Sequence, residues 1–195
     1  MRMIIQRNHV LPICVYVVVI FVITIMVRVF PAGVLFPVSA GIMFLSPFIA
    51  GSRVDGLRWN TRGVVVGLVL SSFILAGYLL LVSKPFNLKA VSLSVVVFHL
   101  FFVSIPEEVF FRGYLQEKLG NNLRGVLFVS FLFALGHVAT RCIGRGCSGY
   151  GYLEALLTFF PSIAMGYMYI ISRTLWANIL FHFLANIVYT STGGL

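Results

Sequence analysis

Six side chains carry the chemistry in this sequence, and they fall in three short clusters. The first is Glu107-Glu108 followed by Arg112, the second is His137 four residues after Phe133, and the third is His182 with Asn186. Glu108 and Arg112 are spaced i and i+4, so on a helix they share a face and can pair. Glu107 points about 100° away and has no such partner. An uncommitted carboxyl in apolar surroundings suits a general base, whereas Glu108 and Arg112 are the structural pair. His182 and Asn186 are also i and i+4 and line one helix face together. A carboxylate, two imidazoles and an amide are the parts of a hydrolytic site: a base for water, and donors for a developing oxyanion. Each cluster also has a plainer reading. The first fits an interfacial helix facing headgroups, His137 fits a core histidine, and His182 with Asn186 fits an interhelical hydrogen-bonded pair.

The elements that must position these groups are membrane helices. Of the 195 residues, 60% are apolar and 10% charged, with 19 phenylalanines, and the mean hydropathy is +1.04. A soluble domain is about 25% charged. A chain this apolar cannot cover a water-facing surface, so the composition excludes a soluble enzyme, a disordered chain and a nucleic-acid-binding module. The fold class is all-α, a polytopic bundle of about seven spanning or partly spanning helices. The spans are read at 10–27, 32–50, 63–83, 90–115, 123–140, 152–171 and 174–190. Pro37, Gly41 and Pro47 interrupt the second. Pro106 makes the fourth either a kinked span or a span followed by an interfacial helix. The chain reads as one domain, with generic N-terminal spans over 1–90 and the chemistry in 91–195.

Fourteen Lys and Arg against five Asp and Glu give a net charge of +9. The basic residues lie between apolar runs, as in loops at headgroups. Alternating spans place Arg2, Arg7, Arg53, Arg58, Arg62, Arg112, Lys118, Arg124 and Arg173 on one side. Arg28, Lys84, Lys89, Arg141 and Arg145 fall on the other. The bias favours a cytoplasmic N-terminus in a multi-pass membrane protein. Cys14 reads as packing, Cys142 and Cys147 as either a small disulfide or loop thiols, and His99 as a packing residue. Residues 141–151 form a glycine-rich basic loop that the chemistry does not require.

In these motifs the sequence resembles the CPBP (CAAX protease and bacteriocin-processing, or Abi) family of intramembrane proteases. That family includes type II CAAX prenyl endopeptidases and lysostaphin-resistance-like proteins. Glu107, Glu108 and Arg112 match its Glu-Glu-x-x-x-Arg motif, Phe133 and His137 its Phe-x-x-x-His, and His182 and Asn186 its His-x-x-x-Asn. The run Phe160–Tyr167 through Trp176 resembles the stretch before the last motif, and the likeness spans about residues 100–190. The resemblance implies that Glu107 and His137 activate water, that His182 and Asn186 hold the oxyanion, and that Glu108 and Arg112 position Glu107. The expected substrate is a membrane-anchored protein or peptide: a prenylated tail, a bacteriocin leader or a C-terminal sorting tail. No cofactor is expected; were Zn²⁺ used, Glu107, His137 and His182 would be its ligands. The competing function is a non-catalytic bacteriocin-immunity or binding protein, for which the same cavity binds and cleaves nothing.

Overall fold

The computed structural model describes residues 9–82 and 85–192, and all of its long elements are helices. They are α1 (Val10–Val29), α2 (Ala32–Ile49), α3 (Thr61–Val82), α4 (Leu93–Leu119), α5 (Leu123–Ile143), α6 (Gly149–Ser172) and α7 (Leu175–Ser191). Hydrocarbon offers no partner for a backbone amide, so a chain of this composition closes its hydrogen bonds within helices. The first six are long and apolar enough to cross a membrane. The seven helices match the seven spans read from sequence. Arg2, Arg7 and Lys84 lie outside the described residues.

Two expectations are resolved. The second helix runs unbroken through Pro37 and Pro47. The fourth is one 27-residue helix rather than a span with an interfacial appendage. It changes winding instead of ending. Pro106 has no N–H to give to the turn before it, and that turn, Phe98–Ser104, is π-wound; Phe111–Gln116 is π-wound as well. The same winding follows His137, over Val138–Ile143.

The helices alternate in direction, giving the bundle two ends. At one end the α2–α3 connection meets the α6–α7 turn. Trp176 Nε1 donates to the Leu57 carbonyl at 2.9 Å, and Thr174 Oγ1 donates to the Arg58 carbonyl at 3.3 Å. Arg53, Arg58, Arg62, Lys118, Arg124 and Arg173 gather at this end. At the other end Arg28 Nη2 donates to the Ile143 carbonyl at 2.6 Å, and the Asn87 amide donates to the Ser191 carbonyl at 2.9 Å. Cys142 and Cys147 are joined there by a disulfide, which settles the choice the sequence left open.

The core is an aromatic and aliphatic cluster shared by α1, α2, α4, α5, α6 and α7, including Tyr16, Met43, Phe110, Phe133, Met165 and Phe181. Tyr16 ties α1 to α5 by donating to the Leu132 carbonyl at 2.7 Å. Helices α3 and α7 touch through small residues: a Cβ added at Gly67 would collide with Ala177. Overpacking of this kind costs about 1–3 kcal/mol. Gly67→Leu is therefore expected to lower the thermal unfolding midpoint in detergent. Gly77→Ala, where an added Cβ meets nothing within 4 Å, is expected to leave the midpoint unchanged or slightly higher.

Candidate active site

Helix α4 brings two adjacent carboxylates into the bundle and the fold treats them oppositely. Glu108 is fully buried and fully engaged. Its Oε1 accepts from Arg112 Nη1 at 3.1 Å and from His182 Nδ1 at 2.8 Å, and its Oε2 accepts from Asn178 Nδ2 at 3.4 Å. Arg112 is equally buried. Its Nη2 donates to the Ser162 hydroxyl at 2.8 Å and carbonyl at 3.2 Å, and its guanidinium lies 4.9 Å from the Phe133 ring centroid. The i, i+4 pair expected from sequence is formed inside the protein. The headgroup reading of this cluster fails because neither charge reaches the surface.

Glu107 makes none of these contacts. Its Oε2 lies 3.7 Å from His182 Nε2 and has no hydrogen-bond partner, and its side chain is 17% exposed. The distance is beyond a direct hydrogen bond, leaving the oxygen open to a third group. His182 thus stands between the two glutamates, Nδ1 bonded to Glu108 and Nε2 facing Glu107 without bonding it. Because a carboxylate accepts, Nδ1 donates to Glu108, and this contact sets the orientation of the ring.

His137 is fixed separately. Its Nδ1 lies 3.0 Å from the Phe133 carbonyl, which can only accept, so Nδ1 carries the hydrogen and Nε2 keeps its lone pair. The ring packs on Phe133 at a centroid distance of 4.6 Å, and Phe133 in turn meets His182 at 6.2 Å. The two imidazoles thus pack on the same Phe133 ring. Asn186, one turn beyond His182, has a buried Nδ2 with no partner. The structure therefore brings the six residues singled out from sequence to one region of the bundle. It commits Glu108 and Arg112 to internal contacts and leaves free valence on Glu107 and Asn186.

Sequence reasoning missed several members. Ser162 and Asn178 complete the shell around Arg112 and Glu108, and Asn178 also donates to the Met165 carbonyl at 2.6 Å. Asn178 sits one turn before His182, so the i, i+4 spacing that marked Asn186 extends to it. His99 Nε2 and Thr190 Oγ1 are 3.2 Å apart, while His99 Nδ1 and Ser104 Oγ are buried without partners. His182, Asn186 and Thr190 follow at four-residue steps on α7, antiparallel to Glu107, Ser104 and His99 on α4. The two helices thus share a polar seam. No signal short of the helix pairing would have placed His99 there.

Among the described residues no three His, Cys, Asp or Glu side chains converge as a metal site requires. Of the three ligands considered, Glu107 and His182 approach one another, and His137, its Nδ1 on the Phe133 carbonyl, keeps its Nε2 lone pair.

The family profile described as type II CAAX prenyl endopeptidase Rce1-like matches residues 89–188, just over half of the chain. The match takes in all three motifs. No curated protein and no solved structure matched the chain. With six helices long and apolar enough to cross a membrane, the chain belongs to the type II CAAX prenyl endopeptidase Rce1-like family of intramembrane endopeptidases. It is accordingly an integral multi-pass membrane protein, and its family implies a membrane-anchored peptide substrate.

Unequal roles for the two glutamates carry a stability prediction. Removing one partner of a buried ion pair leaves an uncompensated charge and costs about 3–5 kcal/mol. Glu108→Ala and Arg112→Ala are expected to unfold well below the wild-type temperature in detergent. Glu107→Gln, which breaks no internal hydrogen bond, is expected to melt within a few degrees of wild type. Equal destabilisation by both glutamate changes would contradict the assignment.

Proposed function

We propose that the protein hydrolyses a peptide bond in a membrane-anchored polypeptide, using a water molecule activated by Glu107. The observation that carries this reading is the unequal engagement of the two glutamates: Glu108 is saturated, and Glu107 Oε2 is partnerless beside His182.

In this mechanism Glu107 Oε2 takes a proton from water, and the lone pair on His137 Nε2 helps to orient that water. The hydroxide adds to the carbonyl carbon of the scissile bond. The carbonyl oxygen becomes an oxyanion, which accepts from Asn186 Nδ2 and from His182 Nε2–H. With Nδ1 donating to Glu108, the second donor on His182 belongs to the imidazolium. The charges of Glu107, Glu108, Arg112 and His182 then sum to zero before the step. Afterwards the four sum to +1, because Glu107 has gained a proton, and the negative charge on the oxyanion restores the total to zero. Such balance matters in a site this poor in solvent. Glu107 next gives its proton to the amide nitrogen, the C–N bond breaks, and the products are a new carboxyl terminus and a free amine.

Glu108, Arg112, Ser162 and Asn178 touch no reacting atom in this scheme. They hold His182 and the backbone under Glu107. No step is routed through a metal.

The proposal is tested by cleavage of a membrane-anchored peptide library in liposomes. Glu107→Ala is expected to abolish turnover. Asn186→Ala, losing one oxyanion donor, is expected to reduce kcat about 10²- to 10³-fold with a smaller change in KM. Turnover is expected to survive exhaustive chelation. Cleavage unaffected by Glu107→Ala would overturn the reading. Protection against a membrane toxin that persists in that variant without any proteolysis would establish the immunity function instead. Loss of turnover on chelation, restored by zinc, would overturn the metal-free route.

A further inference from the structure

A groove between α1 and α5 ends on a tyrosine at one end and on an arginine at the other. It encloses about 390 Å³ and is walled by Val17, Phe21 and Ile25 from α1 and by Ala139 and Ile143 from α5. That volume lies in the range of ligand pockets, about 300–1,000 Å³. Val17, Phe21, Ile25 and Ile143 are exposed, so the groove faces sideways, toward lipid. Its inner end is Tyr16, whose hydroxyl is tied to the Leu132 carbonyl at 2.7 Å. Its floor is Ile20, which packs on α5 where Gly136 leaves room: a Cβ there would stand 3.2 Å from Ile20 Cδ1. From Tyr16 to Arg28 the helix rises about 18 Å at 1.5 Å per residue. That is close to the hydrocarbon depth of one leaflet, about 15 Å.

Two of the three polar side chains in this lining are spent inside the protein. Tyr16 is one, and Thr24 Oγ1 donates to the Ile20 carbonyl at 2.7 Å. Arg28 is the third. Its Nη2 donates to the Ile143 carbonyl at 2.6 Å, across the mouth of the groove. That bond fixes the guanidinium in place and leaves its other N–H groups without a protein partner among the described residues. An arginine held this way presents a fork that matches phosphate. The carbonyl ends of α1 and α5 carry partial negative charge, which the Ile143 contact offsets. Arg141 and Arg145 are exposed at the same end and leave it net positive. No carboxylate answers them. Glu107 and Glu108 lie in the site, Asp55 pairs with Arg58 and Glu117 accepts from Asn121 at the basic end, and Glu154 accepts from Tyr189 on α7; these are all five acids. The mouth suits an anion and repels an ammonium.

We propose that this groove binds one anionic phospholipid, with an acyl chain lying along α1 from Arg28 to Tyr16 and the phosphodiester on Arg28. A long apolar channel with a single charged end selects a molecule of the same build. Zwitterionic lipids carry the same phosphate and tails, but their ammonium would lie among Arg28, Arg141 and Arg145. The bound chain touches both α1 and α5, so occupancy stabilises the docking of one on the other. None of this depends on the proteolytic reading above.

Binding is measured on the full chain in detergent, by native mass spectrometry and by thermal unfolding. The probes are phosphatidylglycerol, phosphatidylcholine with the same acyl chains, and glycerol phosphate. Phosphatidylglycerol is expected to bind about tenfold more tightly than phosphatidylcholine, the scale of one hydrogen bond to a charged group, and to raise the unfolding midpoint. Glycerol phosphate, which has no tail, is expected neither to displace the lipid nor to raise the midpoint. Arg28→Gln is expected to abolish the preference for the anionic lipid. Arg58→Gln, at the opposite end of the bundle, is expected to leave it intact. Ile25→Trp fills the groove from an exposed position and is expected to weaken phosphatidylglycerol binding. Equal binding of the two lipids would mean annular lipid only and overturns the proposal. So does a preference that survives Arg28→Gln, an equal loss in Arg58→Gln, or displacement by glycerol phosphate. Should Arg28→Gln fail to accumulate, the comparison of lipids on the wild-type chain and the Ile25→Trp variant decide, and unchanged binding to Ile25→Trp overturns the proposal.

Discussion

The rest of the site depends on a charge pair that the bilayer makes expensive. Taking a carboxylate and a guanidinium out of water costs several kcal/mol per ion, and their attraction offsets this only if the remaining valences are filled. Glu108 and Arg112 fill most of them from other helices, Ser162 on α6 and Asn178 and His182 on α7, with Arg112 Nε left without a partner. One ion pair on α4 thereby dictates how α6 and α7 sit against it. The same contacts orient the His182 ring and take up the hydrogen-bonding capacity of Glu108. Glu107, one residue earlier on the helix, faces away from that network and stays available.

Winding and burial support this division. The stretch that holds both glutamates, Ile105–Phe110, is α-helical and is bracketed by π-wound turns. π turns interrupt α-helices most often at functional sites. A third follows His137 directly. Each lies within about one turn of a residue that the proposed mechanism uses or that holds the site. The aromatic rings serve the polar groups as well as the core. Phe133 lies against the guanidinium of Arg112 and against both imidazoles, so the histidines are set by packing as much as by hydrogen bonds.

Much of this was legible in the sequence, for identifiable reasons. Helices in lipid announce themselves by apolar length, and all seven appear where the runs place them. The i, i+4 spacing of Glu108 with Arg112 was sufficient to foresee their pair. It also left Glu107 as the uncommitted carboxyl. What stayed hidden depends on contacts between distant segments. Ser162 and Asn178 are ordinary small polar residues until α6 and α7 close on Arg112 and Glu108. His99 resembles a lone packing histidine until the antiparallel register sets it against Thr190. The two prolines of α2 read as breaks, yet the helix runs through both. The π turns follow no residue type beyond Pro106, because they reflect where the ladder shifts register, which composition does not encode.

The central claim is that Glu107 faces the reacting water while Glu108 holds the structure behind it. The most direct test is an experimental structure of the chain bound to a phosphinate analogue of the tetrahedral intermediate. The account predicts one phosphinate oxygen against Glu107 Oε2 and the other within hydrogen-bonding distance of His182 Nε2 and Asn186 Nδ2, with Glu108 still bound to Arg112. A phosphinate held by Glu108, or bound away from Glu107 altogether, would contradict it.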